Sequence, residues 1–145
     1  MNFLQYVADD FYDGTIFHRI IPGFIVQGGS FLPDLIKQEP VRDPIVNEFD
    51  PLRSNVAGTV AMAKLGGDPD SATSGFFFNL VDNSSNLDNQ NGGFTVFAEV
   101  LMNMLVVEDM AEVETSSQTT PEGGVLDNVP VEDIILEKAT IEYEY

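Results

Sequence analysis

The first half of the chain consists of short apolar runs separated by turn residues. Residues 1–10 carry apolar side chains at helical spacing, which predicts a helix that begins without an N-terminal cap. Residues 15–21 and 24–28 are rich in β-branched and aromatic residues, and Pro22 and Gly23 between them suit a tight turn. These two runs are therefore predicted to pair as a hairpin.

Four more apolar or alternating runs in the second half are predicted to be strands. They cover residues 57–64, 74–82, 94–103 and 131–145. Residues 104–112 are predicted to form a short helix. The polar stretches between these elements are predicted to be loops, at residues 65–73, 83–93 and 115–124. About six strands, two helices and no internal repeat favour a mainly β protein whose antiparallel sheet closes into a barrel or sandwich.

Composition indicates the size of the folded unit and the kinds of partner that the chain can bind. The 145 residues, 43% of them hydrophobic and 11 of them phenylalanine, suffice for one domain with a sizeable core. Six basic residues against 24 acidic ones give a net charge of −18, so neither nucleic acid nor a membrane surface is an expected partner. Cysteine is absent, so the sequence holds no disulfide and does not indicate a redox compartment.

Two polar side chains interrupt the predicted hairpin within "YDGTIFHRIIPGFIVQGG", residues 12–29. They are Arg19 and Gln27. Strand alternation places Phe17 on the same face as Arg19 and His18 on the opposite face. A structural ion pair is one interpretation of Arg19, because the chain offers 24 carboxylates. His18, the single histidine of the sequence, is predicted to be a hydrogen-bonded core residue rather than a metal ligand or a triad member.

Other stretches that suggest chemistry do not meet the requirements of their motifs. No serine lies in a nucleophile elbow, and "LGGDPDSATSG" lacks the lysine and helix start of a phosphate-binding loop. The segment "DNSSNLDNQNGG" does not fit the ligand spacing of a calcium loop, and it is interpreted as structural or substrate-lining. The triplet Phe76, Phe77 and Phe78 is by default core packing. No metal or cofactor site is predicted.

The stretch at residues 12–29 closely resembles the signature of cyclophilins, a family of peptidyl-prolyl cis-trans isomerases. The resemblance continues in the same order through "GTVAMAK", "DPDSATSGFFFN" and "LDNQNGGFTVFAEV", and the sequence of these segments is most similar to that of bacterial members. It implies an eight-stranded antiparallel β-barrel capped by two helices, with the substrate groove on its outer surface. Because the chain starts partway through the helix that matches "NFLQYV", residues 1–145 are expected to be a single, N-terminally incomplete domain of about six strands that lacks the family's N-terminal β-hairpin. Three explanations stay open: the sequence is a fragment, an upstream start was missed, or the domain has lost two strands. Since some bacterial members are exported, the compartment stays open between the bacterial cytoplasm and the periplasm or export.

The resemblance also assigns site residues by their positions. Arg19 falls on the family's catalytic arginine, and Gln27 is expected to bond a substrate backbone carbonyl beside it. The expected substrate-binding positions are Phe24, Ile25, Ala63, Phe77, Leu87 and Phe94. Phe77 corresponds to the floor of the proline pocket and Leu87 to its wall. The chain departs from common family residues at Gly75, Asn86 and Phe94, so tight cyclosporin binding is not expected.

Isomerisation of an X–Pro bond fits a sequence that offers no nucleophile, metal site or coenzyme site. No covalent bond is made or broken, so the catalyst has only to favour the twisted amide over the planar one. A permanently protonated arginine can donate to the lone pair that the prolyl nitrogen gains. The predicted substrates are proline-containing peptides and unfolded protein segments. The alternative is a proline-binding or chaperone-like module with little or no turnover.

Overall fold

The computed structural model describes residues 1–143, in which β-strands predominate and the helices are short. Helices α1, α2 and α3 span Asn2–Ala8, Ser84–Leu87 and Met104–Met110, and a 3₁₀ turn spans Pro33–Leu35. Strands β1 to β11 span Thr15–Ile16, Arg19–Ile21, Ile25–Gly28, Phe31–Leu32, Ile36–Lys37, Thr59–Met62, Phe76–Asn79, Val96–Glu99, Thr115–Thr119, Val125–Pro130 and Ile135–Leu136. None of the helices in this part of the chain is long and apolar enough to span a bilayer.

The strands form three antiparallel groups. The largest is a five-stranded sheet in the order β2-β3-β7-β6-β8. A four-stranded sheet follows the order β11-β1-β4-β5, and β9 pairs with β10 as a separate hairpin. The prediction of a mainly β, antiparallel fold is therefore confirmed. The strands are shorter and more numerous than predicted, and α2 is an additional short helix.

The five-stranded sheet is apolar on both faces because its central strands alternate between two clusters of buried side chains. One face packs against α1 and α3 and forms the main core, to which Ile20, Val26 and Phe76 contribute. The opposite face carries a smaller cluster that includes Ile25 and Phe77. Period-two alternation explains this division, since neighbouring residues of a strand point to opposite sides. The second cluster is the one that lies at the outer surface.

The predicted strand at residues 15–21 divides in two, and this corrects the prediction that Phe17 shares the face of Arg19. β1 belongs to the four-stranded sheet and β2 to the five-stranded sheet. Phe17 packs in the main core together with Ile20. Its ring lies directly over Gly28, where a Cβ atom would come within 2.8 Å of Phe17 Cδ1. Residues 17 and 18 lie between the two strands, so strand alternation does not extend from Arg19 back to Phe17.

Two segments predicted as loops contain regular structure, and the C-terminal prediction is only partly matched. The polar run Thr115–Thr119 forms β9, which pairs with β10, and the segment at residues 83–93 contains α2. Their polar composition gives no hydrophobic period, because β9 is largely solvent-exposed. Of the predicted strand at 131–145 only Ile135–Leu136 is extended and paired, and residues 144–145 lie outside the described part.

His18 is a buried residue, as predicted, but its hydrogen bonding is incomplete. The side chain is 6% exposed, its ring centroid lies 4.6 Å from that of Phe31, and Nδ1 has no hydrogen-bond partner within residues 1–143. Burial, with a further contribution from the charge of Arg19, lowers the pKa of His18 to about 4. The folded chain therefore holds this imidazole neutral at pH values where an unfolded chain would protonate it.

This depressed pKa predicts a loss of stability in mild acid. Above pH 6.5 both states carry a neutral imidazole, whereas between about pH 6.5 and 4 only the unfolded state takes up the proton. The free energy of unfolding should therefore fall by about 3 kcal/mol across that window. Urea titrations of the wild type and His18→Phe across pH 4–7 measure the difference. Parallel pH profiles for the two proteins would contradict the prediction.

Candidate active site

One row of side chains crosses the outer face of the five-stranded sheet. The row consists of residues that lie directly opposite one another on neighbouring strands, in the order Arg19, Gln27, Phe77, Ala61 and Val96. Directly opposed residues of antiparallel strands point to the same side of a sheet. The strand pairing alone therefore brings the arginine and the glutamine next to the apolar cluster.

A groove of about 250 Å³ opens above this row. It is lined by Arg19, Phe24, Ile25, Gln27, Ala63, Lys64, Phe77, Asn86, Leu87, Gln90 and Phe94. Every site residue predicted from the sequence is in this set, and the catalytic and binding roles assigned to them remain predictions. Lys64 and Gln90 were not predicted, and Asn86 was noted only as a departure from the family.

The floor of the groove is an apolar slot. Ile25, Phe77 and Leu87 are almost fully buried there, and Phe24 and Phe94 pack against them with part of each ring exposed. The Phe94 ring meets the Phe77 ring edge-on, with centroids 5.8 Å apart. A concave surface of aromatic and aliphatic side chains suits a small apolar ring such as that of proline.

Arg19 lies beside this slot and forms no ion pair with the described residues. Its Nη1 donates a hydrogen bond to Gln27 Oε1 at 3.2 Å, and the side chain is half-buried. Within residues 1–143 no carboxylate lies within ion-pair distance of Arg19, and none lines the groove. The structural ion pair considered from the sequence is not formed there. The guanidinium remains able to donate to a bound ligand.

Asn55 anchors the segment that carries two groove walls. It is fully buried, and its Nδ2 donates to Asp88 Oδ1 at 2.8 Å and to the backbone oxygen of Phe94 at 2.9 Å. Asp88 also accepts hydrogen bonds from Ser54 Oγ and from the Asn55 backbone N–H. Burial raises the pKa of Asp88, but these hydrogen bonds outweigh it and hold the pKa below its usual value.

Two further buried asparagines extend the contacts beneath the sheet edge. Asn79 Nδ2 donates to Asn55 Oδ1 at 3.1 Å and to Thr59 Oγ1 at 2.9 Å. Asn83 Nδ2 donates to Asn79 Oδ1 at 2.9 Å and to the backbone oxygen of Phe24 at 3.0 Å. The buried asparagine network, defined here as Asn55, Asn79 and Asn83, was not predicted. It ties the walls of the groove to the five-stranded sheet.

Lys64 is fixed at the rim of the groove. Its Nζ donates to the backbone oxygens of Asn91 and Gly93, both at 2.6 Å, and lies 4.8 Å from the centroid of the Phe94 ring. Burial lowers the pKa of Lys64, and the negative charge of Asp70 partly opposes this. The signal that could have identified Lys64 is weak: it is one of six basic residues and directly follows Ala63.

The groove places a few hydrogen-bonding groups around an apolar slot, which is the composition of the class of proteins that bind a ligand in a cleft. In the described part of the chain, its lining contains no hydroxyl, thiol, imidazole or carboxylate side chain. It offers instead one guanidinium, one ammonium, three amides and an apolar slot.

Comparison with known proteins agrees with this class. The sequence model of the family "cyclophilin type peptidyl-prolyl cis-trans isomerase/CLD" matches residues 1–141, and the chain belongs to this family. It is 42% identical over 142 residues to peptidyl-prolyl cis-trans isomerase A of Dickeya dadantii, covering 97% of this chain and 70% of that protein. It is 43% identical over 144 residues to peptidyl-prolyl cis-trans isomerase B of Escherichia coli, covering 97% and 84%.

Solved structures support the same fold. A crystal structure of a Cryptosporidium parvum cyclophilin-type peptidyl-prolyl cis-trans isomerase, determined in the presence of the dipeptide Ala-Pro, matches with a TM-score of 0.76. The match is 22% identical in sequence and covers 99% of this chain and 84% of that one. The resemblance predicted from the signature at residues 12–29 is therefore confirmed, and the chain is a peptidyl-prolyl isomerase of the cyclophilin type.

Proposed function

We propose that this isomerase turns X–Pro bonds in the groove beside Arg19, in proline-containing peptides and in unfolded segments of proteins. The observation that carries the proposal is a half-buried guanidinium next to an apolar slot, with no carboxylate in the groove among the described residues. Membership of the family indicates that the reaction is X–Pro isomerisation, and the groove residues offer a physical means of catalysing it.

Arg19 would stabilise the twisted amide more than the planar one. Rotation about an X–Pro bond has a barrier of about 18–20 kcal/mol because the amide loses resonance, and the prolyl nitrogen then becomes pyramidal and gains a lone pair. The guanidinium stays protonated and presents a rigid set of donors. A hydrogen bond to that lone pair forms only when the amide twists, so it lowers the barrier rather than merely strengthening binding.

The other groove residues would position the chain for this rotation. The slot at Phe77 and Leu87 would hold the pyrrolidine ring and exclude water, which strengthens the field of the nearby guanidinium. Gln27 already accepts a hydrogen bond from Arg19, so its side-chain NH₂ is oriented by that contact and would bond a substrate carbonyl. One side of the prolyl bond would be held while the other turns.

We also propose that the chain forms a single domain. Its main core joins helix α1 near one end of the sequence to side chains near the other, including Ile134 and Leu136. Ala139 and Ile141 pack on the same cluster, so the C-terminal part of the described chain shares the main core. Cooperative unfolding observed by two independent probes would be the expected behaviour of such a unit.

Exchange spectroscopy by NMR on a proline peptide tests the proposed function. With catalytic amounts of the wild-type chain, we expect cis–trans exchange of the peptide in well under the tens to hundreds of seconds of the uncatalysed reaction. Peptide chemical shifts measured in the same titration report binding. Shifts that saturate without any acceleration of exchange would instead indicate the proline-binding module, whose groove would hold the peptide without turnover.

A further inference from the structure

The groove is a positive site on a strongly acidic chain. The sequence contains six basic residues and 24 acidic ones. Three of the basic residues form ion pairs, Lys37 with Glu39 at 3.4 Å, Arg42 with Asp9 at 2.6 Å and Arg53 with Asp50 at 3.8 Å. Two others, Arg19 and Lys64, line the groove. Positive charge is thus concentrated where a substrate would bind.

Lys64 is held in place and keeps a donor for a ligand. Two of its three N–H groups are directed to the backbone oxygens of Asn91 and Gly93, and within residues 1–143 the third has no partner. Asp70 is the carboxylate that most affects its charge, but Asp70 does not line the groove, and its Oδ1 accepts a hydrogen bond from the Asn47 backbone at 2.8 Å. The ammonium is therefore not neutralised by a direct ion pair.

The Phe94 ring is adjacent both to the Lys64 ammonium and to the floor of the slot. Lys64 Nζ lies 4.8 Å from the Phe94 ring centroid, which in turn lies 5.8 Å from that of Phe77 at the slot floor. Consecutive residues of an extended chain are about 3.3–3.8 Å apart, and an aspartate or glutamate side chain adds further reach. With the proline ring in the slot, an acidic side chain on an adjacent residue can reach Lys64.

We propose that Lys64 makes this groove select prolines that have an acidic residue directly before or after them. The proposal rests on the proposed function, because it takes the slot at Phe77 to be the site of the proline. Arg19 acts on the reacting amide, whereas Lys64 acts on a side chain beside it. The two cations therefore have separate effects that can be measured separately.

The overall charge of the chain dictates how the preference must be measured. A net charge of −18 repels every acidic peptide at long range and slows its association. A comparison between acidic and neutral peptides would mix this repulsion with the local attraction of Lys64. The useful peptides are isomers of one composition, in which a glutamate and a glutamine exchange places. One isomer has glutamate next to proline, and the other has it at least four residues away.

We expect the isomer with adjacent glutamate to be isomerised with kcat/KM about two- to fivefold higher, for glutamate before or after the proline. Lys64→Gln should abolish this difference, since its amide can still bond the two backbone oxygens but carries no charge. Lys64→Arg should retain it. Lys138→Gln removes the same charge from an exposed position outside the groove and serves as the matched control.

Equal kcat/KM values for the wild type on the isomers, at both positions, would overturn the proposal. So would a difference that persists in Lys64→Gln or that disappears equally in Lys138→Gln. The wild-type comparison decides the preference even if Lys64→Gln folds poorly. Failure of the proposed function has another signature, because all isomers would then be turned over no faster by the wild type than by Arg19→Ala.

Discussion

Replacing Arg19 with alanine should lower kcat/KM for a proline peptide by about 100- to 1000-fold. The guanidinium lies beside the slot and presents a planar set of donors to the nitrogen lone pair of the twisted amide, and it is not held by a carboxylate among the described residues. Arg19→Lys should recover little of the loss, because an ammonium keeps the charge without the planar set of donors. The measurement is exchange kinetics on a peptide whose flanking residues are neutral.

The control for this variant is Arg53→Ala, which removes an exposed arginine paired with Asp50. Its kcat/KM should stay within about twofold of the wild type, as is usual for surface substitutions. Because Arg19 is half-buried and, among the described residues, its side chain hydrogen-bonds Gln27 alone, its loss should leave the unfolding temperature nearly unchanged. Full activity in folded Arg19→Ala would remove Arg19 from the mechanism.

Replacing Asn55 with alanine should lower the free energy of unfolding by about 2–4 kcal/mol and reduce turnover as well. The substitution removes a side-chain donor from Asp88 and from the Phe94 backbone, and it removes one of the two acceptors of the fully buried Asn79 amide, whose other acceptor is Thr59 Oγ1. Unpaired polar groups that cannot reach water carry the full cost of desolvation. The segment that carries Leu87 should then move relative to the sheet.

Urea unfolding and peptide exchange together measure both effects of Asn55→Ala. Asn89→Ala is the matched control, since Asn89 is an exposed asparagine of the same segment that bonds only nearby backbone oxygens. Its stability should change by about 0.5 kcal/mol or less. If Asn55→Ala were as stable as Asn89→Ala, the buried asparagine network would not be what holds the groove.

The row of groove residues could be predicted from local alternation together with the resemblance. Strand Ile25–Gly28 and the phenylalanine triplet follow period two, so Phe77 and Gln27 point to one side of the sheet and Phe76 and Val26 to the other. Phe24 does not follow this alternation, because it precedes β3 and packs on the same side as Ile25. Turn chemistry at Pro22-Gly23 set the hairpin register, which pairs Arg19 with Gln27. These features depend on neighbouring residues and are therefore present in the local sequence.

Features that depend on distant partners could not be predicted in this way. The partners of Asn55 in its side-chain hydrogen bonds lie between 24 and 39 positions away from it in the sequence. An asparagine in a polar stretch has the same sequence signal whether its side chain is buried or exposed. The strand Thr115–Thr119 has a mostly exposed polar sequence, so only its pairing with β10 identifies it. Phe17 lies between β1 and β2 and packs over Gly28 of β3, a contact that the local sequence does not show.

The central claim is that Arg19 favours the twisted amide over the bound ground state. NMR line-shape and exchange analysis at saturating peptide gives kcat and Kd separately for the wild type and Arg19→Ala. The account predicts that nearly all of the loss falls on kcat, with Kd changed by no more than about threefold. A Kd weakened by the whole factor, with kcat unchanged, would contradict it and make Arg19 a binding residue.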